Sequence, residues 1–316
     1  DILKFIWKGI KLCLVAVILL STVLGFYAAH IAYDRLFHAP WDRILGIADN
    51  RGRLSAIHEE ERRNGWQPVT IRSKDGTELH GTYIEDSRRE ADTVILLHGL
   101  YQNRSMMLPY AEIYRNMGFH VLMIDLRGHG ESGGDQTSWG IHETDDIDAW
   151  RSWIHERTPA SKEGIHGVSL GAALALIYGG TEKGKEVAFY VADSSYGNLM
   201  KLGEDKLSAF TGDPMLVDMM DLLYPFFQVT LYGNEGKWLS DIDPLDSAKK
   251  MTSPVLFLHG EKDSLVPAKV AEELFDAAGS RNKRLVLFPE AGHTMELGTD
   301  RSAYVEAVQN FIASTG

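Results

Sequence analysis

The pattern of apolar and polar positions divides the chain into one uninterrupted apolar stretch near its start and a long region of short apolar runs. Residues 12–33 contain no Asp, Glu, Lys or Arg. From residue 94 onward, apolar runs of strand length alternate with segments of helical pattern. This alternation predicts an α/β fold with a mostly parallel sheet and helices on both faces. Ahead of it, residues 68–72 and 78–84 flank an Asp-Gly pair, which predicts a β-hairpin leading into the sheet.

The apolar stretch predicts a retained single-pass membrane anchor, because a helix of about 20 apolar residues spans a bilayer core. Lysines precede it and aromatic residues lie near both of its ends, namely Lys4, Lys8, Lys11, Trp7 and Tyr33. The positive flank predicts a cytoplasmic N-terminus and a catalytic domain on the extracytoplasmic side. A cleaved signal peptide and a buried core helix are the alternatives. The run is longer than the ~7–15 apolar residues of a signal peptide, and it is apolar on all sides.

The domain organisation that follows has three parts. Residues 1–35 form the N-terminal anchor, residues 36–66 a juxtamembrane helical connector, and residues 67–316 the α/β domain. Between the sixth strand and the next, the chain takes about 60 residues, which is too long for a simple crossover. An insertion at about residues 197–245 is therefore expected within the α/β domain.

Composition excludes several classes of protein. The net charge of −12, without a basic patch, argues against nucleic-acid binding. Cys13 is the one cysteine in the sequence, so an internal disulfide and a multi-cysteine metal site are excluded. No clustered His or Asp ligand set stands out, and the sequence predicts neither a metal nor another cofactor. It carries no signal for an oligomeric state.

The candidate nucleophile is the serine of Gly167-Val168-Ser169-Leu170-Gly171. An apolar strand over residues 164–168 runs into it and a small-residue helix over residues 170–179 runs out. This strand–turn–helix context is that of a nucleophile elbow, whose sharp turn needs small neighbours. The alternative is that Ser169 only caps the helix.

A carboxylate and a histidine follow the serine at the ends of later strands. Asp263 lies in the loop after the apolar run that begins at residue 255, and His293 lies in the loop after residues 284–288. A serine hydroxyl needs a base to take its proton, and the base needs a carboxylate to hold its tautomer. We predict Ser169 as nucleophile, His293 as general base and acid, and Asp263 as the orienting acid.

Rival residues exist for two of these roles. Asp193, at the end of the strand over residues 187–192, and Glu261 compete with Asp263 for the role of acid. His259 competes with His293, although it directly precedes a glycine in a strand-end turn.

Three further stretches carry a resemblance to a known family. Residues 93–100 are similar to a strand leading into a His-Gly loop. Residues 121–132 match an Asp-x-Arg-Gly-x-Gly-x-Ser turn, and residues 254–267 a Pro-Val-Leu-x-x-His-Gly-x-x-Asp-x-x-Val-Pro segment. With the serine turn, they make the chain resemble the α/β-hydrolase superfamily from about residue 69 to 312. The resemblance implies the α/β-hydrolase fold, with a doubly wound, mostly parallel sheet and a small helical cap.

The resemblance also implies an oxyanion hole. Its two donors would be the backbone N–H groups of Leu100 and Leu170, which must be aimed at the developing negative charge. We interpret His98 and Asp125 as residues that hold loops, and His129 as a surface residue of a turn.

The insertion is rich in methionine and looks like a cap over the active site. Methionine adapts to irregular apolar ligands, so an acyl chain is an attractive guest. The cap side chains that we predict to bind substrate are Met215, Leu216, Met219, Leu223, Phe226 and Phe227. The alternative is that they only pack the cap onto the main domain.

The function predicted from these features is that of a serine hydrolase. It would cleave carboxylic esters or thioesters through an acyl-enzyme, with a small-molecule or lipid-like ester as substrate. A serine peptidase and an acyltransferase of the same fold are alternatives among enzymes. A membrane-bound binding protein on a hydrolase scaffold is the alternative outside them.

Overall fold

The computed structural model describes residues 2–316. Within them lie eight strands and twelve α-helices, joined by loops and three short 3-10 turns. The strands are β1 (Gln67–Arg72), β2 (Glu78–Ile84), β3 (Thr93–Leu97), β4 (His120–Ile124), β5 (Glu163–Val168), β6 (Phe189–Asp193), β7 (Val255–Gly260) and β8 (Lys283–Phe288). The helices are α1 (Ile2–His38), α2 (Trp41–Leu45), α3 (Ser55–Asn64), α4 (Leu108–Asn116), α5 (Glu143–Arg157), α6 (Leu170–Gly179), α7 (Leu199–Thr211), α8 (Met215–Glu235), α9 (Pro244–Lys250), α10 (Ala268–Ala277), α11 (Glu296–Thr299) and α12 (Arg301–Ala313).

These elements group into two units. One contains the N-terminal segment up to Pro40 together with Glu204–Leu239, and the other contains Trp41–Gly203 together with Ser240–Gly316. The apolar helix α1 ends at His38, beyond the predicted end of the anchor at residue 35. The connector region from residue 41 supplies α2 and α3 to the second unit.

The second unit is built on one sheet with the strand order β1-β2-β4-β3-β5-β6-β7-β8. The first strands, β1, β2 and β4, pair antiparallel, and all later pairs are parallel. The mostly parallel sheet that the sequence predicted is confirmed. The Asp-Gly pair makes the predicted hairpin turn, where Gly76 adopts a φ of +87° that side-chain-bearing residues rarely reach.

Burial explains why the central strands are apolar without alternation. Every residue of β3, β4 and β5 is buried, as expected for parallel strands that are covered on both faces. One face packs into a cluster that joins strand residues such as Leu96 and Val191 to Tyr114 of α4 and Phe311 of α12. All ten residues of α6 are buried as well, which fits its Ala, Gly and Leu composition.

The first unit is built around α1. At about 1.5 Å per residue its 37 residues extend over about 55 Å, more than the ~30 Å hydrocarbon core of a bilayer. Among the described residues, α1 alone is long and apolar enough to cross a membrane. It packs against α8 of the same unit. The ring of Phe226 lies so close to Gly25 that a Cβ there would sit 2.7 Å from it.

Candidate active site

The elbow places Ser169 on a strained turn between β5 and α6. Its φ of 56° and ψ of −115° are unusual for a residue with a side chain. A Cβ on Gly167 would lie 2.0 Å from the carbonyl oxygen of Gly171, and a Cβ on Gly171 would lie 2.2 Å from that of Leu97. Both glycines are therefore needed for the turn to pack between strand and helix. The Ser169 N–H donates to the Asp193 carbonyl oxygen at 2.7 Å, which anchors the turn to β6.

The structure brings the three predicted catalytic side chains into one hydrogen-bonded chain. Ser169 Oγ lies 2.9 Å from His293 Nε2, and His293 Nδ1 lies 2.6 Å from Asp263 Oδ2. The arrangement fits a serine hydroxyl that donates to Nε2 and an Nδ1–H that donates to the carboxylate. The Asp263 carboxylate is fully buried, whereas the His293 side chain keeps 17% of its surface exposed.

Asp263 is held as an ionised acceptor. Its Oδ1 accepts the backbone N–H groups of Leu265 at 2.9 Å and of Val266 at 2.8 Å. Burial alone would raise its pKa, but hydrogen bonds from His259 and His293 outweigh burial and hold the pKa well below its usual range. The carboxylate therefore stays charged at neutral pH and can orient the imidazole of His293.

The rivals for the acid lie elsewhere. The Asp193 carboxylate accepts the Tyr304 hydroxyl at 2.7 Å and lies 2.8 Å from Ser194 Oγ. Burial, followed by the charge of Glu296, raises its pKa well above the usual value. Glu261 is exposed. Geometry therefore pairs His293 with Asp263.

His259, the rival base, contacts the acid instead of the serine. Its Nε2 lies 2.7 Å from the Val266 carbonyl oxygen and 3.2 Å from Asp263 Oδ2. Burial would lower its pKa, but the hydrogen bonds to Asp263 and Val266 raise it overall. His259 thus supports the loop that carries Asp263, a role that the sequence analysis did not assign.

Two buried histidines fix the loop that carries Leu100. His98 Nδ1 lies 2.7 Å from the Gly99 carbonyl oxygen, and its Nε2 accepts the Leu126 N–H at 3.0 Å. His129 Nε2 accepts the N–H of Tyr101 at 3.0 Å. Burial lowers the pKa of His98 to about 4 and that of His129 to about 3, so both rings are neutral at pH 7.

The interpretation of His129 as a surface residue is wrong, because its side chain is almost completely buried. The turn that contains it folds back onto the loop after β3, and its ring packs edge-on against His98 at 5.1 Å between centroids. Asp125 holds its loop as interpreted, since its carboxylate accepts the Arg104 and Glu131 backbone N–H groups at 2.7 and 2.9 Å.

A cavity of about 100 Å³ opens beside Ser169 and His293. Leu100 and Leu170, whose N–H groups the resemblance implies as oxyanion donors, both line it. As the first residue of α6, Leu170 has an N–H that is not needed within the helix. Both predicted donor positions are therefore at the cavity.

The rest of the cavity wall is mostly apolar or aromatic, with Gln102 and Thr294 as its polar members, and sequence reasoning did not find it. It includes Leu45, Ile47, Trp139, Tyr196, Leu202 and Leu265. The first two belong to the predicted connector, and Trp41 beside them packs edge-on against Trp139 at 5.5 Å between centroids. The buried Tyr196 hydroxyl has no hydrogen-bond partner within residues 2–316.

The six predicted cap residues lie on α8, in the first unit. Met215 and Met219 are exposed, Phe227 is buried, and Phe226 packs edge-on against Phe26 at 5.2 Å between ring centroids. Their role in substrate binding stays a prediction.

A larger depression of about 900 Å³ surrounds Trp66 and Arg115 on the second unit. It is lined mostly by charged and polar side chains and contains none of the predicted catalytic residues. The smaller cavity is therefore the candidate active site, because the predicted nucleophile, base and acid meet there. Across residues 2–316, no three His, Cys, Asp or Glu side chains form a group that could hold a metal ion.

Comparisons with known proteins agree with this architecture. The family model described as the alpha/beta hydrolase family matches residues 94–307. The Bacillus subtilis protein YqkD is 27% identical over 307 residues, covering 96% of this chain and 97% of the relative. The human protein ABHD12B is 29% identical over 71% of this chain and 62% of its own length. The solved structure of the Pyrococcus furiosus esterase Pf2001 superposes with a TM-score of 0.65 and 26% identity, over 81% of this chain and 96% of the esterase.

Proposed function

Because this chain belongs to the alpha/beta hydrolase family, we propose that it is a serine hydrolase that cleaves carboxylic esters, or thioesters, through an acyl-enzyme on Ser169. The observation that carries the proposal is the hydrogen-bonded chain from Ser169 through His293 to Asp263, which opens into an apolar cavity. The similarity to a solved esterase supports the choice of ester over amide.

The proposed reaction has two halves. His293 Nε2 takes the proton of the Ser169 hydroxyl as its oxygen attacks the ester carbonyl carbon, and it then gives that proton to the departing alcohol. Asp263 holds the imidazole in the required tautomer and stabilises its charged form. A water molecule, activated by His293 in the same way, releases the acid from Ser169.

The oxyanion of each tetrahedral intermediate would accept the N–H groups of Leu100 and Leu170. Such donors act best when they are fixed before the reaction begins. The neutral rings of His98 and His129 supply this rigidity, because they accept backbone N–H groups within the same loop system.

The size of the cavity supports a short acyl group. At about 100 Å³ it is well below the ~300–1,000 Å³ of typical drug-sized sites. Each additional methylene buried there should raise kcat/KM about fourfold until the space is filled. A p-nitrophenyl ester series should therefore peak at short to medium chains. If the predicted cap side chains bind the acyl group, Phe227→Ala should change this profile, and an unchanged series would contradict their role.

We further propose that α1 anchors the enzyme in a membrane, with its N-terminus cytoplasmic and Ser169 on the extracytoplasmic side. Its length and the absence of acidic or basic residues over positions 12–33 support the anchor, and the preceding lysines support the orientation. A lipid-like ester is then a suitable substrate, because it would be concentrated at the same surface.

Active-site labelling tests these proposals together. A fluorophosphonate should label the wild-type chain but not Ser169→Ala. The control is Ser195→Ala, which should still be labelled, because the Ser195 hydroxyl of the wild type donates to the Tyr196 carbonyl oxygen and not to His293. Ester turnover should fall by several orders of magnitude in Ser169→Ala, and adding His293→Ala should cost little more. Near-native turnover in Ser169→Ala would refute the mechanism.

A membrane-impermeant fluorophosphonate should label intact or wall-stripped cells, and labelling only after lysis would refute the orientation.

A further inference from the structure

The insertion helix α8 presents an exposed apolar face within the first unit. Four of its exposed apolar side chains recur at the spacing of one helix face, and their exposed fractions are large: Met215 66%, Met219 54%, Leu222 74% and Val229 50%. At 100° per residue they fall within an arc of about 80°. Soluble proteins rarely leave such a face uncovered.

The same helix is fixed against α1. Phe226 packs on Gly25 and Phe26, and the Tyr33 hydroxyl bonds to Glu235. Because the two sets of contacts have nearly the same offset along the sequence, the helices run side by side in the same direction. Gly25 and Ala29 are the buried residues of α1, and their small size is what allows another helix to approach a membrane helix closely.

Aromatic residues gather at the end of this helix pair. Tyr232 stacks on Trp238 with 4.4 Å between ring centroids, and both remain about half exposed. Tyr33 lies at the same end, through its contact with Glu235. Tyrosine and tryptophan are enriched at membrane–water interfaces, where one side of the ring is apolar and the other is hydrated.

From these observations we infer that α8 is a second membrane-contacting helix, whose face of Met215, Met219, Leu222 and Val229 enters the hydrocarbon edge of the bilayer that holds α1. The inference rests on the proposed anchoring by α1. Asp218 borders this face, and Asp221 lies about 80° beyond its edge, on the side of α8 that points away from the apolar arc. Because α8 carries acidic residues and no Lys or Arg, its attraction is to hydrocarbon and not to anionic headgroups.

Single-cysteine reporters in the full chain test the inference. In a Cys13→Ser background, cysteine is introduced by Leu222→Cys on the apolar face, by Asp221→Cys as the matched control on the same helix, or by Leu19→Cys in α1. Each is labelled with an environment-sensitive fluorophore and reconstituted in phosphatidylcholine vesicles. The quenchers are doxyl groups on lipid acyl chains and iodide in the water.

We expect the lipid quencher to remove most of the fluorescence at Leu222→Cys and Leu19→Cys, and iodide to act mainly at Asp221→Cys. If Leu19→Cys is quenched by lipid while Leu222→Cys is quenched only by iodide, α8 is in water and the inference fails while the anchor stands. Protection of Leu222→Cys from both quenchers would assign the face to a second copy of the chain and would also overturn the inference. If Leu19→Cys escapes lipid quenching, the anchor itself fails, whatever Leu222→Cys shows.

Discussion

Asp193 and Asp263 lie near the ends of two neighbouring strands, yet their surroundings give them opposite properties. Asp193 is the last residue of β6 and pairs with Leu258 of β7, whereas Asp263 lies three residues beyond the end of β7. Both are buried. Backbone N–H groups and two imidazoles keep Asp263 charged, whereas burial and the nearby Glu296 raise the pKa of Asp193 well above its usual value. The contacts that a carboxylate makes in the loop after a strand, more than its position on the strand, therefore determine whether it can orient a histidine base.

Exchanging each carboxylate for an amide tests this comparison most strongly. Asp263→Asn should lower kcat by about 10⁴-fold, because an amide cannot hold the His293 tautomer that accepts the serine proton. Asp193→Asn should keep most of the wild-type kcat, since Asp193 contacts Tyr304 and Ser194 and not His293. Ester turnover measures both, with circular dichroism as the check on folding. The reverse ranking would move the catalytic acid to β6.

A smaller effect should come from the residue that supports the Asp263 loop. His259→Phe removes the donor to Val266 and Asp263, and a displacement of the acid by about 1 Å can cost up to about 10²-fold in rate. The loss should appear in kcat with KM little changed, and His259→Gln, which keeps a donor, should recover part of it. Equal losses in both variants, or a change confined to KM, would count against this positioning role.

The smallest expected effect concerns stability against pH. As pH rises above 3.8, the unfolded chain releases the Asp193 proton while the folded chain keeps it, so folding is progressively disfavoured. Asp193→Asn removes this loss. Its free energy of unfolding should therefore gain on that of the wild type by up to about 1.4 kcal/mol per pH unit between pH 3.8 and the raised pKa of Asp193 in the folded protein. Denaturant unfolding between pH 5 and pH 7 measures it, with the exposed Asp276→Asn as control. Parallel curves for wild type and Asp193→Asn would show that Asp193 is ionised in the folded protein.

Local sequence signals predicted much of this molecule. The glycines around Ser169 and the apolar runs of the central strands are strong signals, because each depends on a few adjacent residues. The structure places the strands and the elbow where they were expected. The positions of the predicted acid and base were readable for the same reason, since Asp263 and His293 each follow a strand end.

What the sequence left open depends on contacts between distant segments. Nothing adjacent to His129 indicates that its ring will accept the Tyr101 N–H, and nothing near Leu45 indicates that it will line the cavity. The choice between Asp193 and Asp263 likewise needed the positions of Tyr304, 111 residues after Asp193, and of His293, 30 residues after Asp263. Hydrophobic pattern predicts that a side chain is buried, but not which partner it meets.

The participation of Leu45 and Ile47 in the cavity determines where this chain can be shortened. A version that starts at residue 67 would keep every strand and the three predicted catalytic residues, yet it would lose one wall of the cavity beside Ser169 and the packing of Trp41 on Trp139. A version that starts at Trp41 would keep that wall and omit α1. Substrate preferences measured on the version that starts at residue 67 would reflect a wider, artificial opening. The chain should therefore be shortened to a point before α2.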